Sequence, residues 1–469
     1  MTTTIVSAVP STSAVTLGEP TMLRAVGTLA ALDLEARAAI TDRSDATSQV
    51  VRERTATIVD RVRTGGDTAL RELAQEFDGV ALNALEVPRA RWDEALASLD
   101  PALRSSLERS ARNIAAVHTA FLPRETEVSP EPGIVVGRRP DPLARVGIYA
   151  PGGRAAYPSS LLMGAIPARV AGVGEVIVCS PPGPSGEPSP VVLAAAALAG
   201  ATRVFAIGGA GAIAAMGFGT ESVPQVDRIM GPGNAYVAEA KLQLVSRVAI
   251  DAPAGPSELL VLADDSADAA TIARELVAQA EHDPDAAVVA IIGGAGAGAL
   301  ADAVLTALAA EVEGTPRAAV VRDALRARGA VLTTPTLDEA VTFANSWAAE
   351  HLLLLVRDEL EEATLGALRS AGTVFVGGFS SVAFGDYMTG ANHVLPTAGA
   401  ARCYSGLSTL DFVRWTTWQR VSRDAAASLS EDVARFADAE GLPAHAAAAR
   451  ALRSDAATVT ASDAARDNA

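Results

Sequence analysis

Glu350 and His351 stand side by side, and four leucines follow at once. An imidazole titrates near neutrality and a carboxylate can take a proton from water, so the pair suits proton transfer. The bland alternative is a polar lip on a buried strand, where adjacent side chains point to opposite faces. The chain has five histidines. His118 falls in a plain helical stretch and reads as structural. In "QAEHDPD", Gln279 and His282 lie at i and i+3, so an amide oxygen and an imidazole nitrogen can reach one ion. "FGDYMTGANHVLPT" adds Asp386 and His393, and "AEGLPAH" adds Glu440 and His445. Oxygen and nitrogen donors without a thiolate suit Zn²⁺ and some neighbouring divalent ions. Taken singly, each histidine reads as a surface or capping group.

Glycine-rich turns form a second set. "IGGAGAIAA" fits G-x-G-x-x-A through Gly209, Gly211 and Ala214, and "GGAGAGALA" fits it through Gly294, Gly296 and Ala299. Such a turn offers helix N–H groups to a pyrophosphate. With 39 glycines in the chain, chance matches are expected, and ordinary strand-to-helix turns explain both. In "GPGNAYVAEAK", Asn234 is either an N-cap or a side-chain amide for a ligand. Ser257, in "AGPSELL", either meets a ligand at a strand mouth or finishes a turn.

The elements that must position these residues follow from periodicity. From about Ser48 to Phe77, Val51, Ile58, Val59, Val62 and Leu70 recur at helical spacing, with a break at "TGGDTAL". Residues 89–122 continue helical. From "VGIYAPGG" onward, short β-rich runs alternate with helices, which predicts parallel sheets covered by helices. Later strands are "ELLVLAD", "AAVVAIIGG", "AVLTTP", "HLLLLV" and "GTVFVGG". Thr336 and Glu339 form a capping-box pattern. After about residue 404 the pattern is helical, and the two chain ends read as loose.

Composition bounds the rest. A chain of 469 residues with 49% hydrophobic content can bury large cores. A formal charge of −17 excludes a basic nucleic-acid face and disfavours an anionic membrane surface. Cys179 and Cys403 make neither a disulfide framework nor a CxxC site. No signal peptide or spanning segment is evident, and a cytoplasmic location is expected.

Eight motifs in order, "VGIYAPGGRAAYPSSLLM", "GPGNAYVAEAK", "IDAPAGPSELL", "QAEHDPDA", "AAEHL", "GDYMTGANHVLPT", "SGLSTLDF" and "EGLPAH", resemble histidinol dehydrogenase over about residues 50–450. The resemblance implies an α/β fold of two incomplete Rossmann-like domains with parallel sheets, plus helical N-terminal and C-terminal segments. It divides the chain into an N-terminal segment (1–47), a first domain (48–145 with 256–395) and a second, NAD-binding domain (146–255). A helical dimerisation segment (396–453) and a tail (454–469) complete it. The implied reaction is oxidation of L-histidinol to L-histidine through bound histidinal, with two NAD⁺, as the last step of histidine biosynthesis. The implied catalytic residues are His351 as base and Glu350 as activator of water.

One Zn²⁺ per subunit is implied on Gln279, His282 and Asp386, with His445 supplied by the other protomer of a homodimer with shared sites. Implied substrate contacts are Ser257, Gln279, His282, His351, Asp386, Glu440 and His445. Implied NAD contacts are Tyr149 and Asn234, with the position of Gly211 as a third. There are departures. The resembled family has Gln where this chain has Gly211, often Pro where it has Ala349, and often Pro where it has Ser381. A zinc- and NAD-dependent dehydrogenase of another small polar alcohol is the alternative. A silent metal- or amino-acid-binding protein would not need Glu350 and His351.

Overall fold

A computed structural model describes residues 22–43, 48–152, 156–252 and 254–452. The expected tail (454–469) lies outside these residues, as do residues 1–21 of the expected loose N-terminus. The described residues form two compact units: those within 1–46, 252–385 and 395–406 in one, and those within 47–251, 386–394 and 407–469 in the other.

In the first unit, strand Glu258–Asp264 is buried along its whole length, as a run of apolar residues in a parallel sheet requires. It lies in a six-stranded sheet, all parallel. The order is Ala25–Thr28, Gly329–Thr334, Ala287–Gly293, Glu258–Asp264, His351–Leu355, Thr373–Val376. Alternate residues feed opposite faces. Leu259, Val261 and Leu353 pack with Ile272, Leu276 and Val304, whereas Leu260, Leu262 and Leu352 pack with Phe343 and Trp347. Thr336 caps helix Leu337–Trp347, its hydroxyl accepting from the Glu339 N–H at 3.3 Å.

The second unit repeats the plan. Its five parallel strands run Arg203–Ala206, Glu175–Ser180, Arg145–Tyr149, Arg228–Met230, Ala249–Ile250. Setting aside the added edge strand Ala25–Thr28, both sheets have the doubly wound order 3-2-1-4-5 in their own chain sequence. Helix Gln49–Leu73 packs on this unit through Val59, Val62 and Leu70, and Gly66, at φ 52°, kinks it where the glycine pair predicts a break.

Within the N-terminal segment (1–47), Ala25–Thr28 completes the six-stranded sheet. Two expectations need correction. The helical stretch 48–145 belongs with 146–251, not with 256–395. Its buried residues, Trp92, Leu107 and Ile114 among them, share a core with Val146 and Ile148. The region after 404 is not wholly helical either. Strand Val413–Val421 pairs antiparallel with Ile134–Pro142, which also pairs with Thr126–Val128. Its alternation in "VRWTTWQRV" was masked by the surrounding helical texture.

Candidate active site

The first unit gathers its five expected site residues on one edge. Glu258–Asp264 and His351–Leu355 are the central neighbours where the strand order reverses. Ser257 immediately precedes the first of them, and Glu350 precedes the second. Helix Ala269–Ala280 runs back from the carboxyl end of Glu258–Asp264, which returns Gln279 to the amino edge. His282 follows in the loop before Ala287–Gly293. Gln279, Glu350 and His351 are buried; His282 is exposed.

The local backbone explains how two adjacent residues face one point. Helix Leu337–Trp347 ends on Ala348 in the left-handed region, at φ 54°. The chain is therefore still turning at Glu350, and extended strand begins only at His351. One Glu350 oxygen (Oε2) accepts from the Glu258 N–H at 2.6 Å, and His351 Nδ1 lies 3.0 Å from the Glu258 carbonyl oxygen. The two side chains approach to 3.4 Å, Nδ1 to Oε2. A carbonyl only accepts, so Nδ1 carries the proton in the neutral ring and Nε2 presents the lone pair.

Open doubly wound sheets bind ligands outside the carboxyl ends at the reversal. Here that end is filled by the protein itself. Asp265 accepts from the Gly296 N–H at 3.1 Å and from Arg357, while Asp264 meets Arg357 Nε at 3.0 Å. The turn around Gly294 and Gly296 thus faces a carboxylate, and a pyrophosphate there would meet like charge. Its G-x-G-x-x-A pattern is ordinary turn chemistry.

The second unit carries different residues at its reversal. Tyr149 ends strand Arg145–Tyr149, and "GPGN" follows Arg228–Met230, so Tyr149 and Asn234 sit at the carboxyl end of the two reversal strands. Gly231, at φ 112°, packs so tightly on the Tyr149 backbone that a Cβ would collide with its carbonyl. Lys241 donates to the Gly231 carbonyl at 2.5 Å and to Asp251 at 2.6 Å, and Asp251 accepts from the Gly231 N–H at 2.7 Å. The Tyr149 hydroxyl accepts from the Gly209 N–H at 3.0 Å. Burial pushes its pKa up to about 12, against that hydrogen bond, so it stays neutral. Asn234 is an N-cap, its Oδ1 accepting from the N–H groups of Tyr236 and Val237. Its amide nitrogen is the group left for a ligand. Gly211 lies inside helix Gly209–Phe218, where an added Cβ would come within 3.1 Å of Leu73. The glycine there lets helix Gln49–Leu73 approach.

Asp386, buried, ends a short helix, Val382–Tyr387, and its loop is held within the second unit. His393 Nδ1 lies 2.9 Å from the Asp386 carbonyl oxygen and Nε2 lies 3.2 Å from Ser160 Oγ. Asn392 donates to the Met163 carbonyl and Asn113 to that of Met388. His393 is therefore a brace for this loop. Glu440 caps the end of helix Arg423–Ala439, and His445 lies in the first turns of the helix that starts at residue 443. Both are exposed, on a hairpin closed by Ala434, Ala437 and Ala446.

A histidinol dehydrogenase family model matches residues 41–453. The chain belongs to the histidinol dehydrogenase family. It is 45% identical over 395 residues to a histidinol dehydrogenase of Methanosarcina barkeri, covering 84% of this chain and 90% of that one. To a histidinol dehydrogenase of Natronomonas pharaonis it is 48% identical over 422 residues, covering 90% and 98%. The crystal structure of histidinol dehydrogenase from Elizabethkingia anophelis matches with a TM-score of 0.87 at 31% identity, covering 92% of this chain and 98% of that one. The family consists of NAD-dependent oxidoreductases, and this chain is an enzyme of that class.

Among the described residues no three His, Cys, Asp or Glu side chains come together as a metal-holding group. The zinc set expected of the family would not form one within a single chain. One of its expected donors is the Gln279 amide and one imidazole is expected from a second protomer, which leaves His282 and Asp386. An amide oxygen, a carboxylate and two imidazoles fit Zn²⁺ in chemistry. No helix among the described residues is long and apolar enough to cross a membrane. Sequence reasoning passed over Glu258 and Arg43. The available signal was an ionisable residue opening the apolar run of a buried strand.

Proposed function

We propose that Glu350 and His351 are the proton-transfer groups of a four-electron oxidation of L-histidinol to L-histidine in the cytoplasm. The observation that carries this reading is their convergence on the backbone N–H and carbonyl of Glu258, with Nδ1 and Oε2 3.4 Å apart. His351, with its proton on Nδ1, takes the alcohol proton at Nε2 as the substrate loses its first hydride. Glu350 takes a proton from the water that adds to the aldehyde carbon, and the resulting gem-diol loses the second hydride. His351 serves that step too, accepting the diol proton. When bound, NAD⁺ accepts a hydride in each oxidation and Zn²⁺ holds the substrate's nitrogen donors.

Gln279, His282, Asp386 and a second protomer's His445 would hold the zinc. Ser257 and Glu440 would orient the substrate, Glu440 against its cationic face. Tyr149 and Asn234, at the carboxyl end of the second unit's reversal strands, support NAD⁺ binding there. Gly211, buried in the first turn of its helix, is not needed for that reading.

The test is NAD⁺ reduction with L-histidinol at alkaline pH. Two NADH per histidinol consumed are expected. A ratio of one, or no turnover with zinc supplied, overturns the assignment.

A further inference from the structure

Glu258 uses both of its backbone groups on the pair. Its N–H donates to Glu350 and its carbonyl accepts from His351. Its own side chain is held from two directions. One oxygen accepts from Arg43 Nη1 at 2.8 Å, and the other accepts from the Ala398 N–H at 2.7 Å. Arg43 also donates to the Trp347 carbonyl and lies 3.5 Å from the centre of the Trp347 ring. Trp347 is the last residue of the helix that leads into Glu350. Arg43 therefore ties together the two segments that carry the pair: the start of strand Glu258–Asp264 and the turn before His351.

This clamp is a poor device for stability alone. The Arg43 and Glu258 side chains are 2% and 3% exposed. Burial pushes the Glu258 carboxyl up to about 7 even beside Arg43, and pushes the Arg43 guanidinium down to about 10. Apolar residues of similar volume commonly stabilise a core as well as a buried ion pair does. An ion pair adds direction, because a forked guanidinium meets its partners at fixed angles.

We propose that Glu258, clamped by Arg43, is the positioning residue for Glu350 and His351. It sets the angle and separation of both catalytic groups through the backbone N–H and carbonyl of one residue, so a single clamp serves both oxidations. The proposal rests on the catalytic reading of that pair.

The experiment compares Glu258→Gln, Arg43→Met and the double variant with Glu350→Gln and His351→Asn, each zinc-loaded and checked for folded fraction by thermal unfolding. Glu258→Gln and Arg43→Met should each lower kcat by about 10- to 100-fold, with KM for histidinol and NAD⁺ within about twofold of the parent. The acidic limb of the kcat profile should also move. Glu258→Gln leaves the Arg43 charge uncompensated beside Glu350 and His351, which disfavours the imidazolium and shifts the limb to lower pH. Arg43→Met removes a cation and shifts it the opposite way. The double variant should return the limb towards the parent position while kcat stays low.

A merely structural pair would lower activity in proportion to folded protein and leave the limb in place, and that result overturns the proposal. So does parental kcat in both single variants. If Glu258→Gln does not fold, Arg43→Met decides alone by the same two readouts. Full turnover in Glu350→Gln and His351→Asn would instead sink the catalytic reading and leave the clamp without a client.

Discussion

The backbone of one residue, Glu258, serves two side chains at this site, and only Glu350 is confined to the aldehyde step. His351→Asn should abolish the alcohol step, since an amide cannot take the proton. Glu350→Gln should leave that step working and stall the aldehyde step, because its water is no longer activated. Rapid-quench analysis of histidinol, histidinal and histidine distinguishes the two, and equal loss of both steps in both variants would refute the division of labour. A second histidine bears on stability. His118 is buried, and among the described residues neither ring nitrogen has a hydrogen-bond partner. Burial pushes its pKa down to about 4. The folded value lies below the unfolded one, so the contribution to stability is complete above about pH 6.5. It is lost as pH falls towards 4, because only the unfolded chain takes up the proton there. The loss should total about 3 kcal/mol, at 1.36 kcal/mol per pKa unit. Urea unfolding of His118→Leu between pH 7 and 4 should show a flatter dependence than the parent, and parallel curves would refute this.

At the scale of elements, the two doubly wound sheets carry their expected site residues at opposite ends. In the second unit the carboxyl end of the reversal carries Tyr149 and the "GPGN" turn, braced by Lys241 and Asp251. In the first, Asp264, Asp265 and Arg357 fill the corresponding end, and the residues with chemistry lie at the amino end. Lys241→Met tests the brace. It leaves the Asp251 carboxylate buried without its cation, which should destabilise the fold by roughly 3–5 kcal/mol. NAD⁺ affinity should fall in whatever protein remains folded, because the "GPGN" turn loses a bond to its carbonyl. Unchanged denaturation midpoint and NAD⁺ titration would show that the brace is dispensable.

For the whole molecule, the expected site draws residues from distant parts of the chain and one from a second copy. Glu440 and His445 lie exposed on the C-terminal hairpin, as residues serving a partner's site would. Mixing inactive His445→Ala subunits with inactive His351→Asn subunits should recover part of the parental activity, because one of the two shared sites in a heterodimer is then intact. A verified heterodimer without recovery would count against sharing. The parallel-sheet architecture was legible in the alternation of apolar strands with helices, and the site residues in eight ordered motifs. Periodicity could not place helices 49–120, since an amphipathic face specifies that it must be buried but not against which sheet. Nor could it find strand Ala25–Thr28, a short edge element beside a glycine-poor, weakly patterned terminus.

Sequence by itself determined the family and the two parallel sheets, and it named the groups expected to do chemistry, because residue type and order carry that information directly. Tertiary structure alone decided that Glu350 and His351 face one another. Strand periodicity would have set them on opposite faces, and a left-handed residue at Ala348 delays the strand until His351. It also brought Arg43 and Glu258, 215 positions apart, into one clamp beneath the pair. Spacing along the chain holds no record of such a contact, because the fold and not the local pattern determines which buried charges can meet.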